Sequence, residues 1–243
     1  MTTAKNETPW FATEDITCVV LAAGEGKRLY PHTKSLPKAL LPINGQPLLA
    51  HVVDYWSQYT KKFVFVLHYK QDMIEDFVHR QPLSSICVRQ TELKGIANAI
   101  EFASPYVDNR FVLVLGDCFV DGRFCFPEKM VQGVGIWQTN DKDAIRRSYS
   151  VEHNQGTIYR VVEKPMVLPN NLCGLGFYFF DRRIFEYIKK TPPSSLRGEV
   201  EITDTIQKMI DNGAQITAVP YKGNYVNVTA PADIQRIERL LKT

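Results

Sequence analysis

The sequence predicts an α/β fold around a mostly parallel central sheet. Residues 19–21, 63–67 and 111–115 are continuous apolar runs, as expected of strands buried on both faces. Between them lie stretches whose apolar residues recur at helical spacing. Strands alternating with helices imply right-handed crossovers and hence parallel pairing.

In chain order, Val19-Val20-Leu21 leads into a glycine-containing loop. Apolar residues at 48, 49, 52, 53 and 56 then predict a helix packed on the sheet. Residues 63–67 form the next strand, 71–80 a helix (Met73, Ile74, Phe77, Val78) and 86–88 a short strand. A helix opens at Gly95, and the strand at 111–115 ends in Gly116-Asp117. From there the pattern changes. Residues 134–138, 148–152, 158–163 and 175–180 are strand-like and separated by turns. A helix over 183–189 and a loop at 192–198 follow. A helix near 203–212, a strand at 216–220, an extended 225–228 and a helix from Pro231 to Leu241 close the chain. Residues 1–14 are polar apart from Pro9, Trp10 and Phe11 and are expected to be a flexible extension; 15–243 is expected to be one domain with halves at about 15–125 and 126–243.

A chain of 243 residues is long enough for a substantial core, and 44% hydrophobic with 23% charged residues is ordinary for a soluble globular protein. A net charge of +3 argues against a nucleic-acid partner, which would call for a concentrated basic face. The five scattered cysteines contain no CxxC pair and read as reduced thiols. No 18-residue apolar run predicts a membrane span, and the N-terminus lacks an apolar signal segment, so a cytoplasmic, stand-alone unit is expected.

The chemistry begins at residues 18–45. Leu21, Ala22, Ala23, Gly24, Glu25 and Gly26 are followed by Lys27, Arg28, Lys34 and Lys38. A strand emptying into a loop rich in glycine and cations suits a polyphosphate, since free N–H groups and fixed charge face the anion together. Two familiar loops are excluded. The dinucleotide fingerprint needs a third glycine where Leu29 stands, and the P-loop needs a glycine at Leu21 and a hydroxyl at Arg28. Ligands of open α/β sheets bind at the carboxyl ends of the strands. That edge would gather the 22–28 loop, the 91–97 turn, Asp117 and Glu163-Lys164-Pro165. A phosphate loop, a carboxylate able to hold Mg²⁺ and a further lysine form a set for chemistry on a nucleoside triphosphate.

Residues 21–49, LAAGEGKRLYPHTKSLPKALLPINGQPLL, resemble the signature of the sugar-1-phosphate nucleotidylyltransferases. Gln90 with Gly95-Ile96-Ala97, residues 115–117, 162–165 and 174–178, and Gly198-Glu199-Val200-Glu201-Ile202-Thr203-Asp204 match further motifs in order. The last is similar to the glucose-1-phosphate thymidylyltransferase branch. The resemblance covers roughly residues 16–240. It implies a Rossmann-like three-layer sandwich of the nucleotide-diphospho-sugar transferase type, with a nucleotide-binding and a sugar-phosphate-binding half. It also implies a reaction: a nucleoside triphosphate, a pyrimidine one by preference, and a sugar 1-phosphate give an NDP-sugar and pyrophosphate. A phosphate oxygen of the acceptor attacks the α-phosphorus in line.

Carried over residue by residue, the resemblance implies that Arg28 and Lys38 neutralise phosphates. Leu21, Ala22, Ala23, Gly24 and Gly26 with Lys27, Gln90, Gly95 and Ile96 would hold the nucleotide. Asp117 would bind Mg²⁺, Lys164 would grip the sugar phosphate, and Glu163, Gly174 and Glu201 would contact the sugar. Two positions depart from the family pattern. Lys27 replaces the usual Thr, adding a charge beside the phosphates or merely a solvated lysine. Asn227 stands where many relatives carry a second metal-binding Asp, keeping an oxygen but losing a charge. Taken singly, Gly24 and Gly26 would suit an ordinary turn, Asp117 a helix N-cap, and Arg28 and Lys38 a solvated surface. No histidine has metal-ligand spacing, and Cys118 reads as inert. Transfer to a non-sugar phosphate, and a nucleotide-binding regulatory subunit with weakened catalysis, stand as alternatives. A homo-oligomer is left open.

Overall fold

The computed structural model describes residues 10–11, 16–195 and 198–242. Four strands, β1 (Thr17–Leu21), β2 (Lys62–Leu67), β3 (Ser84–Arg89) and β4 (Arg110–Leu115), run parallel in the spatial order β4-β1-β2-β3. The connections carry α1 (Leu48–Trp56), α2 (Gln71–Val78) and α3 (Gly95–Ala103). Alternation along the strands explains the layers. Cys18, Val20, Phe63, Phe65, Val112 and Val114 face one core with α1 and α2, whereas Val19, Val64, Val66, Phe111 and Leu113 face a second core with α3. Helices on both faces make the three-layer sandwich.

The second half corrects the expected mostly parallel sheet. It contributes β6 (Gln132–Gln138), β7 (Tyr149–Asn154), β8 (Thr157–Glu163), β9 (Leu172–Asp181) and β10 (Ile216–Lys222); β5 (Cys118–Val120) lies before them. Strand β9 inserts antiparallel between β4 and β6, and β7, β8 and β10 join largely antiparallel, leaving only β6–β10 parallel there. The ten-stranded sheet is therefore mixed. Short turns, unlike helical crossovers, can join only antiparallel neighbours. Helices α5 (Ile184–Lys190) and α6 (Ile202–Asp211) cover the α3 side, and a six-residue helix, α4 (Lys142–Arg147), precedes β7.

A third cluster positions the site. Leu29, Leu41 and Ile43 from the opening stretch and Leu48 of α1 pack with Phe119 of β5, Val226 of β11 (Tyr225–Asn227), Val228, and Ile237 of α7 (Pro231–Leu240). Antiparallel pairing of β5 with β11 sets Asn227 opposite Cys118, and the Val228 N–H donates to the Asp117 carbonyl at 2.9 Å. Distant segments thus meet at the carboxyl end of β4.

The expected extension over 1–14 lies outside the described residues except at Trp10 and Phe11, and these two are docked. Trp10 is buried, donates from Nε1 to the Val131 carbonyl at 3.2 Å and meets Phe179 edge-on; Phe11 packs on Tyr59 and Phe126. Two adjacent aromatics remove enough apolar surface from water to anchor a segment that reads as polar overall. The cysteines are free thiols, and among the described residues no helix is long and apolar enough to cross a membrane.

Candidate active site

Strand β1 ends in the loop because Ala22 still donates to Val66 at 2.9 Å while the following residues leave the sheet. Gly26 adopts φ +69° in the left-handed region, and its carbonyl receives the Thr33 hydroxyl and the Leu29 N–H at 2.9 and 2.8 Å. A Cβ on Gly24 would meet nothing within 4 Å, so its backbone is open to an incoming group. Leu21, Ala22, Gly24, Gly26, Lys27, Arg28, Lys38 and Asp117 line one cavity of about 280 Å³.

A second cavity of about 480 Å³ adjoins it, and both are lined by Arg28 and Asp117. Its wall includes Ile96, Glu163, Lys164, Glu201 and Asn227. Such volumes are typical of small-molecule sites. The two neighbouring cavities thus share a cation and a carboxylate.

The Asp117 carboxylate holds Lys38 Nζ at 2.5 Å, with the lysine side chain only 12% exposed. Asn227 presents a buried Oδ1 that has no hydrogen-bond partner among the described residues. Arg28 is exposed, with no ion pair among the described residues. Lys27 pairs with Glu25 at 3.2 Å, which offsets the charge it adds; the Tyr30 hydroxyl, and then Lys27, hold the Glu25 carboxyl below its usual range. Lys164 sits at φ +44°, its N–H donating to the Ser148 carbonyl at 2.8 Å and its Nζ 3.9 Å from Glu163. A non-glycine residue held in the left-handed region carries strain that surrounding structure must sustain, a feature concentrated at functional sites. Glu163 also accepts from the Thr203 hydroxyl at 3.2 Å, which ties β8 to the first turn of α6.

Not every expected residue reaches a cavity wall. Ala23, Gln90, Gly95 and Gly174 line neither. Ala23 accepts from the Tyr69 N–H. Gln90 is buried at the end of β3, its Nε2 donating to the Glu92 carbonyl at 2.6 Å and Asn98 Oδ1 at 3.2 Å, while its Oε1 has no partner among the described residues. A Cβ on Gly95 would press on Glu199 at 3.0 Å. At Gly174 a Cβ would lie 1.9 Å from the Tyr149 ring, and the Gly174 carbonyl receives the Ser148 hydroxyl at 2.8 Å. Gly174 thereby positions Ser148 and Tyr149, which do line the larger cavity, as does Gly176.

Arg146 and Arg147 of α4, Trp137, and Asp233 and Arg236 of α7 also line the larger cavity, and no motif in the sequence points to them. The only local signal for α4 is Asp141, whose side chain caps the helix by accepting the Ala144 N–H at 2.9 Å. Burial, and then the Asp117 charge, push the Cys118 thiol well above the ordinary range.

This architecture defines a class, an α/β protein whose glycine-containing loop after β1 lines one cavity beside a second, larger one. Residues 17–233 match the nucleotidyl transferase family, and the chain belongs to it. The chain is 32% identical to the UTP–glucose-1-phosphate uridylyltransferase AglF of Haloferax volcanii, over 92% of this chain and 96% of AglF. It is 30% identical to the bifunctional protein GlmU of Methanocaldococcus jannaschii, over 92% of this chain but only 53% of that protein. The chain thus spans about half the length of such bifunctional relatives. A UDP-glucose pyrophosphorylase solved with UDP-glucose shares the fold, with a TM-score of 0.81 over 94% of this chain and 99% of that one at 22% identity.

Proposed function

We propose that the chain transfers a nucleotidyl group from UTP or dTTP to a sugar 1-phosphate, releasing pyrophosphate. The observation that carries this reading is the pair of adjoining cavities lined in common by Arg28 and Asp117. The triphosphate lies along the Gly24–Gly26 loop with Arg28 and Lys38 on its phosphates. The acceptor phosphate is held by Lys164 in the larger cavity, and Glu163 and Glu201 accept from sugar hydroxyls. The nucleophile is already an anion, so positioning and charge neutralisation supply most of the catalysis and no general base is needed. The likeness to AglF supports the sugar acceptor.

The preference for UTP or dTTP is supported by the likeness to AglF, a UTP–glucose-1-phosphate uridylyltransferase.

Mg²⁺ fits the site. Asn227 Oδ1 is a buried oxygen without a donor among the described residues, Asn227 and Asp117 line the same cavity, and a hard cation seeks such oxygens. Among the described residues no three His, Cys, Asp or Glu side chains gather into a metal cage, so further ligands would be phosphates and water. When bound, the ion would neutralise charge on the α-phosphate. Asn227→Asp is expected to tighten Mn²⁺ binding to the nucleotide-free protein by at least about tenfold, since a full charge replaces a dipole. Unchanged affinity in a paramagnetic-resonance titration would remove Asn227 from the metal site.

Pyrophosphate release across a panel of nucleoside triphosphates and phosphate acceptors tests the whole reading. Turnover with UTP or dTTP and a sugar 1-phosphate is expected. Measurable nucleotide binding without turnover for any pair would instead favour a regulatory subunit.

A further inference from the structure

One wall of the larger cavity has no part in the chemistry above. It is built from the end of α4 and from α7, and carries Arg146, Arg147 and Arg236, none of which lines the phosphate-loop cavity. Arg147 is exposed and has no hydrogen bond or ion pair among the described residues. Arg146 holds Asp143 at 3.2 Å and Arg236 holds Asp141 at 3.9 Å, with Asp143 78% exposed. Exposed pairs of this kind are worth little and are readily exchanged for a better partner.

Two arginines in the last turn of α4 would also complement a helix C-terminus. Six residues give only a weak dipole, however, and the third guanidinium comes from a separate helix. Arginine's planar fork matches carboxylates and phosphates, not sugar hydroxyls. The hydroxyl-accepting groups Glu163 and Glu201 sit on other elements, β8 and the start of α6.

Resting on the transfer reaction above, we propose that the acceptor bears a second anionic group besides its reacting phosphate, received by Arg147 with Arg146 and Arg236. The cavity then selects an acceptor charged at both ends. Lys164 takes the acceptor's reacting phosphate, and the α4–α7 wall takes a carboxylate or a further phosphate. A neutral hexose 1-phosphate leaves that wall uncompensated.

The test compares glucose 1-phosphate, glucuronic acid 1-phosphate and glucose 1,6-bisphosphate with UTP, in the wild type and in Arg147→Ala. Pyrophosphate release is measured beside direct calorimetric binding of each acceptor. One charged acceptor is expected to exceed glucose 1-phosphate in kcat/KM by at least about tenfold, the scale of one charge-assisted hydrogen bond. Whether the carboxylate or the bisphosphate gains identifies the group. In Arg147→Ala that ratio should fall close to one. Equal kcat/KM for all three acceptors, or a ratio that the substitution leaves intact, would overturn the proposal. An equal loss on all three would also overturn it, by placing Arg147 on the shared phosphate. If none of the three turns over, the transfer reading fails by itself and calorimetry decides. Charged ligands bound about tenfold tighter through Arg147 retain the second anion site, and equal or absent binding removes it.

Discussion

Asp117→Ala is expected to lower turnover by about a thousandfold while the protein remains folded. The loss has two sources. Asp117 is the carboxylate common to both cavities, so removing it takes charge from the place where the substrates meet. Deleting one preorganised electrostatic group at a reacting centre costs about a hundred- to a thousandfold. The substitution also strands Lys38, whose ammonium, 12% exposed, loses the partner it holds at 2.5 Å. The fold should survive, because the Asp117 link to Val228 is made by the main-chain carbonyl. Asp117→Asn should fall nearly as far. It keeps the volume and an oxygen but leaves two neighbouring amides, at 117 and 227, with no charge between them. Pyrophosphate release at saturating substrates, a thermal melt and a Mn²⁺ titration separate these effects. Near-wild-type turnover with an unchanged melting temperature would take Asp117 out of the chemistry.

What the residues revealed in advance followed from how local each signal was. Strands β1, β2 and β4 are continuous apolar runs between helical patterns, and the glycine-rich loop announces itself within a few residues. These parts were legible. The mixed sheet was not, because the ten residues of β9 are buried almost throughout and look alike whichever way the strand runs. Direction is set by the connections, and the turn-separated strands after Asp117 were the sign of it. Helix α4 was invisible because it buries a single side chain, Ile145, too few to show a period. Gly174 was legible as important but not in its role. Its bare Cα makes room for the Tyr149 ring, and it is Tyr149 that reaches the cavity. Glu25 could be counted from the sequence, yet only folding shows that it offsets Lys27.

Lys164→Ala should raise the acceptor KM by at least about tenfold, and more if the phosphate loses a charge-assisted bond worth about 1.5–3 kcal/mol. The KM for the nucleoside triphosphate should move by less than about twofold, because Lys164 lines only the larger cavity. A shift in the triphosphate KM with the acceptor KM unmoved would assign Lys164 to the other substrate. Backbone conformation provides a second, independent handle. At φ +44° any side chain with a Cβ is disfavoured by about 1–2 kcal/mol, and glycine is not. Lys164→Gly should therefore match Lys164→Ala in acceptor KM while being more stable than the wild type, by up to about 1 kcal/mol after glycine's greater freedom in the unfolded chain is counted. Should Lys164→Gly prove less stable than Lys164→Ala, the left-handed conformation would not be the native one, and the placement of Lys164 Nζ in the acceptor cavity would fall with it.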